Sequence, residues 1–295
     1  MSNSELEYLL GLFKAQPPAE TQPIEKLRAR IDRFAKAFQC PEGVTIKAAD
    51  LGGVPSERLG GGTRSGAILY FHGGGFAIGS PASHRHLAAR LAVDTGMTVW
   101  TVGFRRAPEA PYPASLDDAV NAYRAILQSL PAAQIVVAGD SAGGGLAFST
   151  LLRARAESLP MPGSIVALSP WVNLSSDNPS FVSLAPFDFV TSRASADFFA
   201  RMYAPQALHS EPLVSPIHGD LSGLPPVLIQ AAAHEVFLGD IRLFAERLSA
   251  AGVATTFEIW PEMFHVWHLY WPMLKHGREA IRRASEFIVS RQATA

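Results

Sequence analysis

Two short stretches of this 295-residue chain hold residues whose types and order could carry out nucleophilic chemistry. The first is Gly139-Asp140-Ser141-Ala142-Gly143, a G-x-S-x-G pattern. Its flanking glycines let the backbone turn sharply from a strand into a helix and leave the serine hydroxyl exposed at the corner. The pattern is weak alone, but here the apolar run IVVA precedes it and the small-residue stretch GGGLAFSTLL follows, which is the strand–turn–helix context that it needs. The competing reading of Ser141 is a simple cap on the helix that follows. The second stretch is His72-Gly73-Gly74-Gly75-Phe76, directly after the run AILYF. Consecutive glycines there let backbone N–H groups point into a cavity and stabilise the oxyanion of a tetrahedral intermediate. The N–H of Ala142, next after the serine and at the positive end of its helix, would add a further donor. A phosphate-binding loop is the other reading of the glycine run, but the Lys-Ser/Thr helix start that it requires is absent.

A nucleophilic serine needs an imidazole to take its proton and a carboxylate to hold that imidazole in the right tautomer. In strand-to-helix serine enzymes the chain order is Ser, acid, His. His265 lies in the loop PEMFH right after the last apolar strand, TTFEIW, where such a base belongs. His268, three residues on, reads as a packing or surface group. The pair His265-x-x-His268 has neither a further clustered ligand nor the glutamate of a zinc-protease motif, so no metal is expected, and no organic cofactor either. The acid falls in the loop after PVLIQAA, as Glu235 or Asp240. Glu235 comes first after the strand and is preferred. Asp240 opens the amphipathic stretch DIRLFAERL and reads as its N-cap, with the role of acid as the alternative.

Positioning these groups takes a sheet. Short runs rich in β-branched residues (VTIKAAD, AILYF, MTVWTVGF, QIVVAGD, SIVALSP, PVLIQAA and TTFEIW) alternate with helical patterns over 86–95, 115–130, 145–158, 240–251 and 278–291. Such alternation predicts an α/β protein with a mostly parallel sheet, helices on both faces and chemistry at the carboxyl ends of the strands. Residues 4–14 and 23–38 carry apolar positions at helical spacing and precede the first strand; they either pack on the core or help form a lid. Residues 171–222 show no strand signal and hold Phe181, Phe187, Phe189, Phe198, Phe199 and Met202 among turn residues. An insertion of that length is a cap or binding element whose aromatics form their own small core or line a pocket.

Composition narrows the classes. A formal net charge of −1 with interspersed signs offers no footprint for nucleic acid or an anionic membrane surface, so a neutral small-molecule substrate is expected. The acidic opening lacks the basic start of a signal peptide, and no run of about 18 apolar residues follows, which leads us to expect a soluble, cytoplasmic protein with no stable membrane insertion. Cys40 is the single cysteine, so no intramolecular disulfide can form.

Taken together, HGGGF, then FRRAPEAPYPASLDD over 104–118, then GDSAGG over 139–144 resemble the motifs of the bacterial hormone-sensitive-lipase-like esterases, the family IV carboxylesterases. The resemblance covers roughly 65–290. It implies an α/β-hydrolase fold with a helical cap. Joined to the reading of the elements above, the expected division is residues 1–45 as N-terminal helices contributing to the cap and 46–295 as the catalytic domain, with the insertion over 171–222. The resemblance further implies a serine carboxylesterase for short- to medium-chain esters, with Ser141, His265 and an acid thirty residues before that histidine, which is Glu235. By the same resemblance the oxyanion donors are the amides of Gly73, Gly74 and Gly75, the last two favoured, with Ala142; His72 organises the loop, and a homodimer is expected. The chain departs from the pattern where Glu235 stands in place of the usual Asp and His234 in place of a neighbouring Asp. A ligand-binding receptor without turnover, and an amidase or peptidase with the same machinery, are the alternative functions; a histidine in the position of His265 speaks against the former.

Overall fold

The computed structural model describes residues 4–60 and 63–292; the first three and last three residues of the expected segments lie outside it. Eight strands form one sheet: β1 (Thr45–Asp50), β2 (Pro55–Gly60), β3 (Ala67–Phe71), β4 (Thr98–Val102), β5 (Ile135–Asp140), β6 (Ser164–Leu168), β7 (Val227–Ala232) and β8 (Thr255–Trp260), in the order β1-β2-β4-β3-β5-β6-β7-β8. From β4 to β8 every pairing is parallel, while β2 runs antiparallel to both β1 and β4. The expected mostly parallel sheet is therefore present, with one strand more than the sequence reading found. That strand, PSERLG, opens on proline and carries Ser, Glu and Arg, so it lacks an apolar run. It forms because Gly52 and Gly53, at φ 65° and 85°, make a tight turn whose Gly53 N–H donates to Asp50 Oδ1 (2.8 Å) and folds β2 back onto β1.

The central strands β3, β5, β6 and β7 are buried along their whole length because helices cover both faces. Alternate residues point to opposite sides. Ile68, Tyr70, Val136, Val166 and Leu228 pack with Leu87 and Leu91 of α3 (Pro81–Thr95) and Ile281 and Ile288 of α9 (Lys275–Gln292). Leu69, Phe71, Val137 and Ile165 face α4 (Ala114–Leu127), α5 (Ala142–Ala156) and α8 (Leu238–Ala250) through Val120, Leu146, Leu151, Ile241 and Phe244. Helix α3 begins five residues before the predicted stretch because Ser80 and Ser83 form a reciprocal capping box and Pro81 opens the first turn.

Helices α1 (Ser4–Lys14) and α2 (Ile24–Ala35) lie where the sequence places them. Leu6 and Leu9 of α1 pack with Met263, Phe264 and Trp267, and the Phe13 ring meets Phe264 and Tyr270 edge-on at 4.9 and 5.3 Å. From α2, Arg28 donates to the carbonyls of Ala77 and Ala107 (both 2.8 Å) and pairs with Glu109. Residues 171–222 contain no strand; they hold the short α6 (Ser180–Ser183) and α7 (Arg193–Tyr203). Their aromatics do not form a core of their own. Phe181 and Tyr203 belong to the core shared with the sheet, where they meet Phe237 edge-on at 5.5 Å and stack on Phe76 at 3.8 Å. Among the described residues no helix is long and apolar enough to cross a membrane.

Candidate active site

Strand β5 runs directly into α5, and Ser141 is the corner between them, held at φ 51° and ψ −123°. A β-carbon on Gly143 would sit 2.1 Å from the Phe71 carbonyl oxygen, so only glycine lets α5 approach β3 this closely. The strained corner is fixed by backbone bonds: the Ser141 N–H donates to the Leu168 carbonyl (2.9 Å), and the Ser141 carbonyl accepts from Trp171 and Gly145 (2.8 and 3.1 Å). Its side chain makes no capping bond to α5. The hydroxyl faces an imidazole instead.

His265 Nε2 lies 2.8 Å from Ser141 Oγ, and His265 Nδ1 lies 2.6 Å from Glu235 Oε2. Glu235 is fully buried, and its other oxygen accepts from the Ala232 N–H at 2.7 Å, so the carboxylate is aimed by the end of β7. His265 follows β8 in a loop where Val266 takes φ 52° and donates its N–H to Ser169 Oγ (3.2 Å); the Phe237 ring meets the imidazole edge-on at 5.1 Å. Burial opposes the imidazolium, yet the hydrogen bond and charge of Glu235, with the charges of Asp188 and Asp140, outweigh it and hold the His265 pKa above its ordinary value.

The glycine loop after β3 lies beside the corner. Gly74 and Gly75 take φ 115° and 58°, and a β-carbon on Gly75 would meet the Phe199 ring at 2.5 Å. Among the described residues the N–H groups of Gly74 and Gly75 have no hydrogen-bond partner, and that of Ala142 is the first of α5. Gly73 differs from the expectation for a donor: its N–H already donates to Asp140 Oδ1 (3.0 Å), which takes it out of the open set. His72 stacks on Phe104 at 4.2 Å with Nδ1 2.9 Å from the Gly73 carbonyl; burial and the neighbouring His84 push its pKa down to about 3, so it is a neutral part of the loop.

Asp240 corrects the reading of it as an N-cap. Helix α8 starts two residues earlier, so Asp240 sits in the first turn with its Oδ1 accepting from the Asn173 and Asn178 side chains (both 3.2 Å). It makes none of the hydrogen bonds of His265. Burial, against the two amide bonds, raises its pKa to about 6. His268 is buried, with Nε2 3.0 Å from Gln230 Oε1. No group of three or more His, Cys, Asp or Glu among the described residues could hold a metal ion.

Sequence reasoning missed the groups that align the glycine loop and the acid. Asp140 accepts from Tyr70 Oη (2.8 Å) and lies 3.3 Å from His84 Nε2 while gripping Gly73, so it ties the corner to the loop. A carboxylate closing the apolar run IVVAG was the available signal. Ser180 and Asp188, from the insertion, bond the backbone C=O and N–H of Val236, the residue after Glu235, across 56 and 48 residues, and no local pattern announces that.

A family model described as the alpha/beta hydrolase fold matches residues 68–269. An acetyl-hydrolase of Streptomyces hygroscopicus is 40% identical over 294 residues, 98% of this chain and 97% of the relative. An esterase of Acinetobacter venetianus is 30% identical over 267 residues, 90% and 88% of the two chains. Among solved structures, an esterase from the bacterial hormone-sensitive lipase family superposes with a TM-score of 0.94 at 33% identity, covering 99% of each chain. A hormone-sensitive lipase from a metagenome library does so at 0.93 and 38%, covering 97% of this chain and 98% of the other.

Proposed function

Given that the chain belongs to the α/β-hydrolase family, among the hormone-sensitive-lipase-like esterases, and is a carboxylic ester hydrolase, we propose that Ser141, His265 and Glu235 are its catalytic triad and short- to medium-chain acyl esters its substrates. The unbroken relay from Ser141 Oγ through both imidazole nitrogens to a buried carboxylate, 2.8 and then 2.6 Å, carries the proposal.

In this reading His265 Nε2 takes the Ser141 proton as Oγ attacks the ester carbonyl carbon. The carbonyl oxygen becomes an oxyanion facing the N–H groups of Gly74, Gly75 and Ala142. Collapse of the tetrahedral intermediate breaks the carbon–alkoxy bond, the imidazolium returns its proton to the departing alcohol, and the acyl group stays on Oγ. Water, deprotonated by the same imidazole, repeats the sequence and releases the acid. Glu235 stabilises the imidazolium and stays ionised throughout.

Short acyl groups fit the crowding around the serine. Phe199 touches Gly75, and Trp171 lies between Phe76 and Phe237, with ring centroids at 6.0 and 5.5 Å. The name acetyl-hydrolase given to the Streptomyces relative points the same way. The N-terminal helices and the 171–222 insertion act as one cap over the rest of the 46–295 catalytic domain: Arg28 holds the chain behind the glycine loop, and the Lys14 ammonium lies 4.4 Å from the centroid of the Phe189 ring of the insertion. Cytoplasmic residence and a homodimer belong to the same reading, the dimer being checked by light scattering.

Initial rates on p-nitrophenyl esters of increasing acyl length test the substrate range. Acetate to butyrate should be fastest, and faster hydrolysis of emulsified long-chain triglycerides overturns the preference.

A further inference from the structure

The loop that carries Glu235 is held by side chains of the insertion at both backbone polar groups of one residue, Val236. Asp188, between α6 and α7, accepts the Val236 N–H on Oδ2 at 2.9 Å. Ser180, in α6, donates its hydroxyl to the Val236 carbonyl at 2.6 Å and accepts the Gly239 N–H at 3.2 Å. The other oxygen of Asp188 accepts the N–H groups of Val190 and Thr191 at 2.9 and 2.8 Å, so the carboxylate is locked in its own turn while it grips the neighbour of Glu235. At 6% exposure it has no solvent to screen it, and it couples electrostatically to His265. None of the chemistry above uses this second buried carboxylate.

We propose that Asp188 is a positioning residue for ester hydrolysis: its bond to the Val236 amide fixes the peptide that aims Glu235, and its negative charge supports the imidazolium of His265 from the insertion side. The proposal rests on the triad reading. Its physical content is a division of labour between two carboxylates. Glu235 touches the imidazole and sets its tautomer, while Asp188 sets the place of Glu235 and adds a charge felt through a dry, low-dielectric gap. It also gives the insertion a role besides closing the pocket, because docking of residues 178–191 holds the backbone next to Glu235.

The groups facing this pair come from several elements. Glu235 and Asp140 add negative charge around His265, and His268 opposes its protonation when charged. Beside Asp188, His234 stacks on Phe187 at 5.3 Å and Lys14 of α1 lies over Phe189. Burial raises the Asp188 pKa to about 6, against the pull of His265 and the three backbone donors, so its charge is present at neutral pH and fades in the acid range.

Asp188→Asn keeps an acceptor for Val190 and Thr191 but turns an amide NH2 toward the Val236 N–H and removes the charge. Expected is a fall in kcat of about 10- to 100-fold, the cost of a misplaced catalytic group, with KM for a soluble ester changed far less. The acid limb of the kcat/KM profile should move to lower pH, since His265 loses an anion that favours its protonated form. Asp188→Glu, which restores the charge, should return the limb toward its original place. Wild-type kcat in Asp188→Asn, or a lowered kcat with an unmoved limb, overturns the proposal; the second result would make Asp188 a folding contact. Should Asp188→Asn not fold, Ser180→Ala releases the other half of the clamp with the charge intact. It should lower kcat and leave the limb unmoved, and unchanged kcat there overturns the clamp. Failure of the triad reading is a separate result, visible as turnover in Ser141→Ala.

Discussion

The two halves of the site are built in different ways. Ser141 and the glycine loop stand at the ends of neighbouring parallel strands, and backbone geometry places them: a positive-φ corner, glycines at close approaches, and the first amide of a helix. Glu235 and His265 stand on loops after β7 and β8, and their alignment depends on partners far along the chain, from α1, the insertion and Ser169. The first half rests on its backbone path, with the Asp140 side chain tying the corner to the loop. The second is only as good as the packing of its neighbours.

The largest effect that breaks the first half is loss of the proposed nucleophile. Ser141→Ala should lower kcat by about 10⁶-fold, as for removal of a triad serine elsewhere, with the fold intact by circular dichroism. Turnover near wild type in the folded variant would sink the assignment. In the second half, Glu235→Gln should cost about 10⁴-fold in kcat, because the amide disturbs both the imidazole tautomer and the charge opposite the imidazolium. Asp240→Asn, five residues away in sequence, should leave kcat near wild type. Dead Asp240→Asn beside active Glu235→Gln would exchange their roles. Gly75→Ala probes the backbone-built half at smaller scale: the new methyl meets Phe199, displaces an amide of the proposed oxyanion hole and should lower kcat by about 10²-fold.

Smallest is the effect of Asp240→Asn on stability, and its sign depends on pH. Folded Asp240 holds its proton up to about pH 6, against 3.8 for an ordinary aspartate, so the folded state binds more protons across that window and wild-type stability declines as pH rises through it. Above pH 6 this amounts to at most about 3 kcal/mol. Asparagine cannot ionise, its oxygen still accepts from Asn173 and Asn178, and its NH2 replaces an oxygen that has no partner. The melting temperature of the variant should therefore gain on wild type between pH 4 and 7. An equal loss at both ends of that range would show that the carboxylate is not strained by burial.

This contrast also accounts for what could be read in the sequence. The runs AILYF, IVVAGD, SIVAL and VLIQAA announce fully buried parallel strands because each is apolar on both faces, and the serine corner and glycine loop follow from them by local rules. PSERLG escaped because an edge-side antiparallel strand needs only backbone pairing and a glycine turn. His265 and Glu235 could be named from their place after β8 and β7, whereas Asp188 and Ser180 reach the site through tertiary contacts that no period or motif encodes. Asp240 was misread because helix α8 begins at Leu238, without a side-chain cap, two residues before the amphipathic pattern becomes visible.

Helix α1 gives the molecule a weak point apart from its core. Its apolar side closes over Phe264, the residue immediately before His265, through Leu6, Leu9 and Phe13; beyond that it is held by Phe13 against Tyr270, Lys14 over the Phe189 ring and the Lys275 N–H donating to Glu5 at 3.3 Å, while Tyr8 and Leu12 face outward. Release of these eleven residues exposes Phe264 and Tyr270 and frees the histidine loop, while β3, β5 and β6 stay sealed between their helices. Heat should then silence the enzyme in a reversible partial opening before the sheet melts, with amides of residues 263–274 exchanging with solvent ahead of those of the central strands. Loss of activity on heating should then track release of this eleven-residue peg and precede loss of the eight-stranded sheet, and coincident transitions would overturn the expectation.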